Sequence, residues 1–245
     1  MRSPRSLVPG AVGSVFLTGS ALAAMMLAPL LLTPASASAQ TIPSPYRFID
    51  TRHEAGVFGG AVRPDRGAFG FGPGDGIVMG ARYAIQLGGP FSLEAVASGM
   101  PSTRDVIDPT AAEGNRAIGE ADVLLTSVEA RAKFAFAGNR TWHRLSPHLI
   151  LGGGGIFDVA GDQEADLALP LDQRFEFDAS FLATLGAGVR WLPTDRLDVR
   201  AEWLLQLWRL NTPPGYAVLE SELGPVEQSQ WVQAPSLTLG VAIRF

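Results

Sequence analysis

The sequence predicts an all-β fold: eight antiparallel strands closed into an up-and-down transmembrane β-barrel. Three observations predict it. Apolar and polar residues alternate with period two in eight segments from about residue 50 onward. The connections between these segments alternate short and long. An export signal precedes them, and no later stretch approaches the roughly 18 uninterrupted apolar residues of a membrane helix. Any span after the signal must then be made of strands, because only helices and closed barrels satisfy their backbone polar groups in lipid.

The signal occupies residues 1–39. Arg2 and Arg5 give a positive start, an apolar stretch runs from Val15 to Leu32, and Ala37-Ser38-Ala39 forms a small-x-small cleavage site before Gln40. An uncleaved anchor is the alternative. The small residues Gly19, Ser20, Ala21, Ala23 and Ala24 within the run favour cleavage. Residues 40–50, with Pro43, Pro45, Tyr46 and Phe48, read as a short periplasmic segment, and 51–245 as the barrel domain.

Strand one (52–62) has Val57 and Phe58 on opposite faces, which leaves its parity open. Strand two sets Ile77, Met79, Ala81, Tyr83, Ile85 and Leu87 against Val78, Gly80, Arg82, Ala84 and Gln86. Strand three (91–99) sets Phe91, Leu93, Ala95 and Ala97 against Ser92, Glu94 and Ser98. Strand four (121–137) opposes Leu124, Val128, Ala130, Ala132, Phe134 and Phe136 to Ser127, Glu129, Arg131 and Lys133. A helix would pair Glu129 with Lys133 but would scatter the apolar positions around its circumference. Strand five (145–159) is glycine-rich, with Leu149, Leu151 and Phe157 outward and His148 inward. Strand six (175–191) carries Phe175, Phe177, Phe181, Leu185, Val189 and Trp191 on one face and Arg190 on the other. Strand seven sets Leu197, Val199, Trp203 and Leu205 against Asp198, Arg200 and Glu202, and strand eight sets Leu237, Leu239, Val241, Ile243 and Phe245 against Arg244.

Gly88-Gly89-Pro90, Gly138-Asn139-Arg140 and Pro193-Thr194-Asp195 form the short turns, and the stretches near 63–76, 100–120, 160–173 and 210–234 the long loops. Membrane barrels segregate their connections in this way, and a soluble barrel has no physical reason to. In lipid the apolar faces turn outward. Phe91, Phe136 and Trp191 then form an aromatic girdle at one interface, and Phe175 and Phe177 one at the other. Arg82, Glu94, Glu129, Arg131, Lys133, Arg190, Arg200, Glu202 and Arg244 face the lumen. An eight-stranded barrel is only wide enough to be filled by side chains, so these charges pair with one another or hold trapped water, and a salt-bridged plug is the favoured reading. A weak anion path is the secondary reading, from six basic residues against three acidic.

Composition agrees. Of 245 residues only 18% are charged, below the roughly 25% of soluble domains, and mean hydropathy is +0.17. A net charge of −5 argues against a nucleic-acid partner. The absence of cysteine excludes disulfides, thiolate metal sites and cysteine nucleophiles.

The chain ends on Leu237-x-Leu239-x-Val241-x-Ile243-x-Phe245, which resembles the C-terminal signal read by the barrel-assembly machinery. With the export signal and the eight strands, the chain resembles the small OmpA/OmpX-type outer-membrane β-barrel family. The resemblance implies residence in the bacterial outer membrane, lipid as solvent, the assembly machinery as a biogenesis partner, and an extracellular ligand as a possible partner of the outer loops. It implies no cofactor.

Chemistry is sparse. His53, His143 and His148 lack metal-ligand spacing, and Asp162, Glu164 and Asp166 lack the glycine turn and closing glutamate of a calcium loop. Gly152–Gly155 has no following Lys-Ser/Thr, so it reads as a strand glycine patch rather than a phosphate loop. His143 and Ser146 fall on opposite faces of one strand, Ser127 and Ser180 have no neighbouring histidine, and Gly-x-Ser-x-Gly is absent. The expected function is a structural or surface-interaction barrel rather than an enzyme, acting through the second loop (Thr103, Arg104, Asp105, Asp108, Glu113, Asn115, Arg116) and the fourth (Tyr216, Glu220, Glu222, Glu227, Trp231). A lipid-modifying enzyme and a soluble lipocalin-like carrier are the rivals.

Overall fold

The structure, a computed structural model, describes residues 44–161 and 163–245. The export signal of residues 1–39, the first part of the segment at 40–50, and Asp162 lie outside the described residues.

Ten strands follow one another among the described residues. They are β1 (Tyr46–Phe48), β2 (His53–Val62), β3 (Gly76–Gly88), β4 (Phe91–Ile107), β5 (Ala117–Ala135), β6 (Arg140–Trp142), β7 (Leu145–Asp158), β8 (Ser180–Trp191), β9 (Leu197–Asn211) and β10 (Ser229–Arg244). Eight of them pair antiparallel in the order β7-β5-β4-β3-β2-β10-β9-β8, and β8 returns to β7. These eight strands therefore close on one another. Its seam is the long ladder from Glu54↔Arg244 to Val62↔Ser236. β1 and β6 form a short ladder at the end where the turns lie, with Arg47 opposite Thr141, and β6 joins the barrel sheet through Trp142↔Leu145 on β7.

Period-two patterning decides which face each side chain takes, and the burial pattern of β10 alternates along nearly its whole length. Leu237, Leu239, Val241, Ile243 and Phe245 are all exposed on the outside, Leu239 at 64%. Val57 is outward and Phe58 inward, which settles the parity of β2. A soluble carrier needs these apolar residues inside. The structure puts them outside.

The strands differ in extent from the sequence expectation. β4 and β5, at 17 and 19 residues, exceed the roughly 9–11 that a tilted strand needs to cross a bilayer, so their hairpin projects beyond the barrel rim. Thr103, Arg104 and Asp105 consequently belong to β4 and Trp231 to β10, not to loops. The connection after β5 holds β6 and is more than a tight turn. Residues 174–179 are not strand, and β8 begins at Ser180. Two short helices, α1 (Glu164–Leu167) and α2 (Glu220–Leu223), and a 3-10 helix (Pro214–Leu219) lie in the third and fourth loops.

Candidate functional site: the barrel lumen

Inward positions divide the lumen into two zones. Toward the turn end they are charged. Arg82 donates to Glu202 at 2.7 Å, Lys133 contacts Glu94 at 2.5 Å and Glu202 at 3.2 Å, and Arg200 reaches Glu94 at 2.9 Å. Arg190 bridges Glu54 at 2.5 Å and Asp198 at 2.7 Å, and Arg200 also pairs with Glu54 and Asp198. His148 Nε2 lies 3.2 Å from Glu202. Arg190 and Arg200 are direct cross-strand partners on β8 and β9, an arrangement that repels by itself. Glu54 and Asp198, each shared by both arginines, offset that repulsion.

A second charged group lies nearer the middle. Arg131 donates two bonds to Glu129, at 2.8 and 3.1 Å, and Glu129 also accepts from Thr184 at 2.5 Å and Gln206 at 3.2 Å. Glycines on the neighbouring strands make room for these long side chains. A Cβ on Gly240 would sit 2.0 Å from an Arg82 guanidinium nitrogen, and one on Gly152 would sit 2.7 Å from Arg131 Cγ. The glycine patch of β7 thus serves lumen packing, and Gly153 and Gly155 simply alternate to the other parity.

The nine expected lumen charges are all buried inside the barrel, Arg131 being 2% exposed. Glu54 and Asp198 join them, so the barrel interior opposes six basic residues to five acidic rather than three. The basic excess behind the anion path thus falls from three to one.

Toward the loop end most inward residues are apolar: Val62, Met100, Leu125, Leu182, Trp208, Leu210 and Val232. Three loops fold over and into this zone. Phe71 of the first packs tilted against Phe175 of the third at 4.5 Å and meets Tyr216 of the fourth at 5.5 Å, edge to face. Tyr216 donates its hydroxyl to the Ile107 carbonyl at 3.1 Å, and burial raises its phenol above the usual tyrosine range. Arg104 anchors the third loop through Asp166 at 2.7 Å, Arg66 pairs with Asp105 at 2.7 Å, and Arg116 pairs with Glu222. In the second loop Asp108 accepts from the Thr110 hydroxyl and amide, which holds its carboxyl below the ordinary range.

Phe175 and Phe177 are therefore not an outward girdle. Phe175 is buried in the loop cap and Phe177 packs beside it, because the chain leaves the sheet there and turns over the barrel mouth. Phe157, Phe181 and Trp231 hold the outward aromatic positions at that end, and Phe91, Phe136 and Trp191 are outward at the other. His53 bonds the Tyr83 hydroxyl at 2.8 Å on the outside. The buried Ser146 hydroxyl has no hydrogen-bond partner among the described residues, and the ring of His148 faces the Ser146 carbonyl and Glu202 instead. Among the described residues no group of three or more His, Cys, Asp or Glu is placed to hold a metal.

No protein-family model matches the chain, and no curated protein matches it. Among solved structures it is similar to Neisserial surface protein A (14% identity, 79% of this chain and 97% of that one, TM-score 0.44) and to the N-terminal β-barrel domain of Pseudomonas aeruginosa OprF (14%, 80% and 99%, TM-score 0.41). It is likewise similar to Ail, the attachment invasion locus protein of Yersinia pestis (13%, 80% and 99%, TM-score 0.38). The fold assignment rests on the strand order of the chain itself: a closed, up-and-down, eight-stranded antiparallel barrel, apolar outside and charged along part of its axis.

Proposed function

We propose that this chain is an integral barrel of the bacterial outer membrane with a structural or surface-contact role, its lumen sealed by its own side chains. One observation carries the reading. The apolar set of every strand faces outward around the closed circumference, while the charged set is buried and paired. In water that partition would expose a continuous apolar belt, far larger than soluble monomers tolerate. In lipid it is the low-energy arrangement.

The seal has two parts, the ion pairs of the turn end and the aromatic loop cap. The loops pack on that cap rather than spreading, so a partner would meet a formed surface rich in exposed carboxylates, among them Glu113, Glu220, Glu222 and Glu227. A basic or cation-bridged partner fits that surface. Refolding the chain without its first 39 residues into phospholipid vesicles tests the reading. It should give a compact band that shifts on heating in gels, and planar bilayers should show no steady conductance. A chain that stays dispersed without detergent, or a stable open pore, overturns it.

A further inference from the structure

At the turn end, a cavity of about 140 Å³ lies between the barrel and the small β1–β6 sheet. The register of that sheet gives it two faces. Tyr46 opposes Trp142 and Phe48 opposes Arg140, and the three aromatic side chains are exposed. Arg47 opposes Thr141 on the other parity, and both line the cavity. Arg144 enters it from the β6–β7 turn, Arg244 from the end of β10, and Thr51 from the segment before β2.

Three buried polar atoms of residues that line this cavity, Thr51 Oγ1, Thr141 Oγ1 and Arg244 Nε, have no hydrogen-bond partner among the described residues. Thr141 is only 2% exposed and Arg244 only 4%. The Arg244 Nε is 4.0 Å from its nearest carboxylate, Glu54, and its Nη2 donates to the Thr51 carbonyl at 3.2 Å. Buried donors left unpaired are uncommon in folded proteins, and three around one cavity point to a missing acceptor.

The turn that delivers Arg144 is itself unusual. His143 and Arg144 both have positive φ, 49° and 67°, in a two-residue turn where Asn-Gly is the ordinary choice. The fold holds them there, and Arg144 Nη1 donates to the Pro193 carbonyl at 2.5 Å.

We propose that this cavity is an oxyanion site that takes a phosphate group. Arg47, Arg144 and Arg244 supply the charge and the planar donor forks that match phosphate oxygens, and the Thr51 and Thr141 hydroxyls donate beside them. The volume exceeds that of several waters at roughly 30 Å³ each. Asp50 and Asp195 also line the cavity and are exposed, so water screens them. Three arginines against two carboxylates leave one positive charge, the complement of a phosphodiester. The exposed aromatic face of β1–β6 beside the cavity suits a headgroup region, where such rings are favoured.

The test uses the full chain folded in maltoside micelles, which contain no phosphate. In one arm inorganic phosphate is titrated and followed by ³¹P line broadening. In the other, phosphatidylglycerol is added and its retention read by native mass spectrometry. Binding is expected in at least one arm, weakened about tenfold by Thr141→Val or Arg144→Gln, the loss of one charge-assisted bond. Retention of the lipid alone assigns a headgroup, and response to phosphate alone assigns a free oxyanion. The heat-shifted gel band reports folding. If Thr141→Val does not fold, the exposed Arg47→Gln decides, with Arg63→Gln at the opposite end as the control that leaves binding unchanged. No binding in either arm, or binding untouched by these substitutions, overturns the proposal.

Discussion

The two ends of the lumen solve one packing problem by different physics. At the turn end Arg82, Lys133, Arg190 and Arg200 interleave with Glu54, Glu94, Asp198 and Glu202, and each carboxylate is shared between cations. At the loop end Leu125, Leu182, Trp208 and Val232 are buried in one apolar cluster with Phe71, Phe175 and Tyr216 of the loops. A buried ion network adds little net stability but is intolerant of losing one member, since the others are left uncompensated. An apolar plug adds stability in proportion to the area buried and degrades gradually. The turn end is thus built for a unique register, and the loop end for cohesion.

The largest expected effect follows from that difference. Arg200→Ala leaves Glu54, Glu94 and Asp198 without their common cation, and should cost about 3–5 kcal/mol in urea unfolding from lipid vesicles. A change below about 1 kcal/mol would mean that the charges are not interlocked. Leu182→Ala, in the apolar zone, should cost about 3 kcal/mol. Its cost should not vary with salt.

Next in size is Tyr216→Phe. Loss of the hydroxyl bond to the Ile107 carbonyl should cost about 1 kcal/mol. It also changes the alkaline limb. Because burial raises the folded phenol's pKa, its contribution is complete below the unfolded value of 10.0 and is lost as pH rises past it. The loop cap should therefore loosen above about pH 10 in the parent and less so in Tyr216→Phe, read by protease nicking of the fourth loop. The smallest effect belongs to Thr110→Ala, which removes the hydroxyl bond to the solvent-exposed Asp108 and should shift stability by less than about 0.5 kcal/mol.

Much of the charged end was legible in the sequence, because Glu129, Arg131 and Lys133, or Asp198, Arg200 and Glu202, stand at strict two-residue spacing among apolar neighbours. Glu54 was missed with the parity of its strand. The apolar end was obscured for a physical reason. Where the lumen is apolar both faces of a strand are apolar, and alternation fades into runs such as Val123-Leu124-Leu125 and Phe181-Leu182. Those runs were the available signal for a greasy upper lumen. Phe175 and Phe177 misled because Phe-Glu-Phe-Asp keeps period two in a segment that has already left the sheet. The cavity beneath β1–β6 was not legible, since it joins residues near 47, 141 and 244 that only the closed barrel brings together.

Trp203 and Trp208 on β9 allow the inside and outside of the cylinder to be compared directly. They lie five residues apart with opposite parity, 50% and 1% exposed. Each is retained alone by replacing the other four of the five tryptophans with phenylalanine, and its quenching by brominated lipid is measured in vesicles. Strong quenching of Trp203 and almost none of Trp208 is expected. Strong quenching of Trp208 with Trp203 left in water would contradict it.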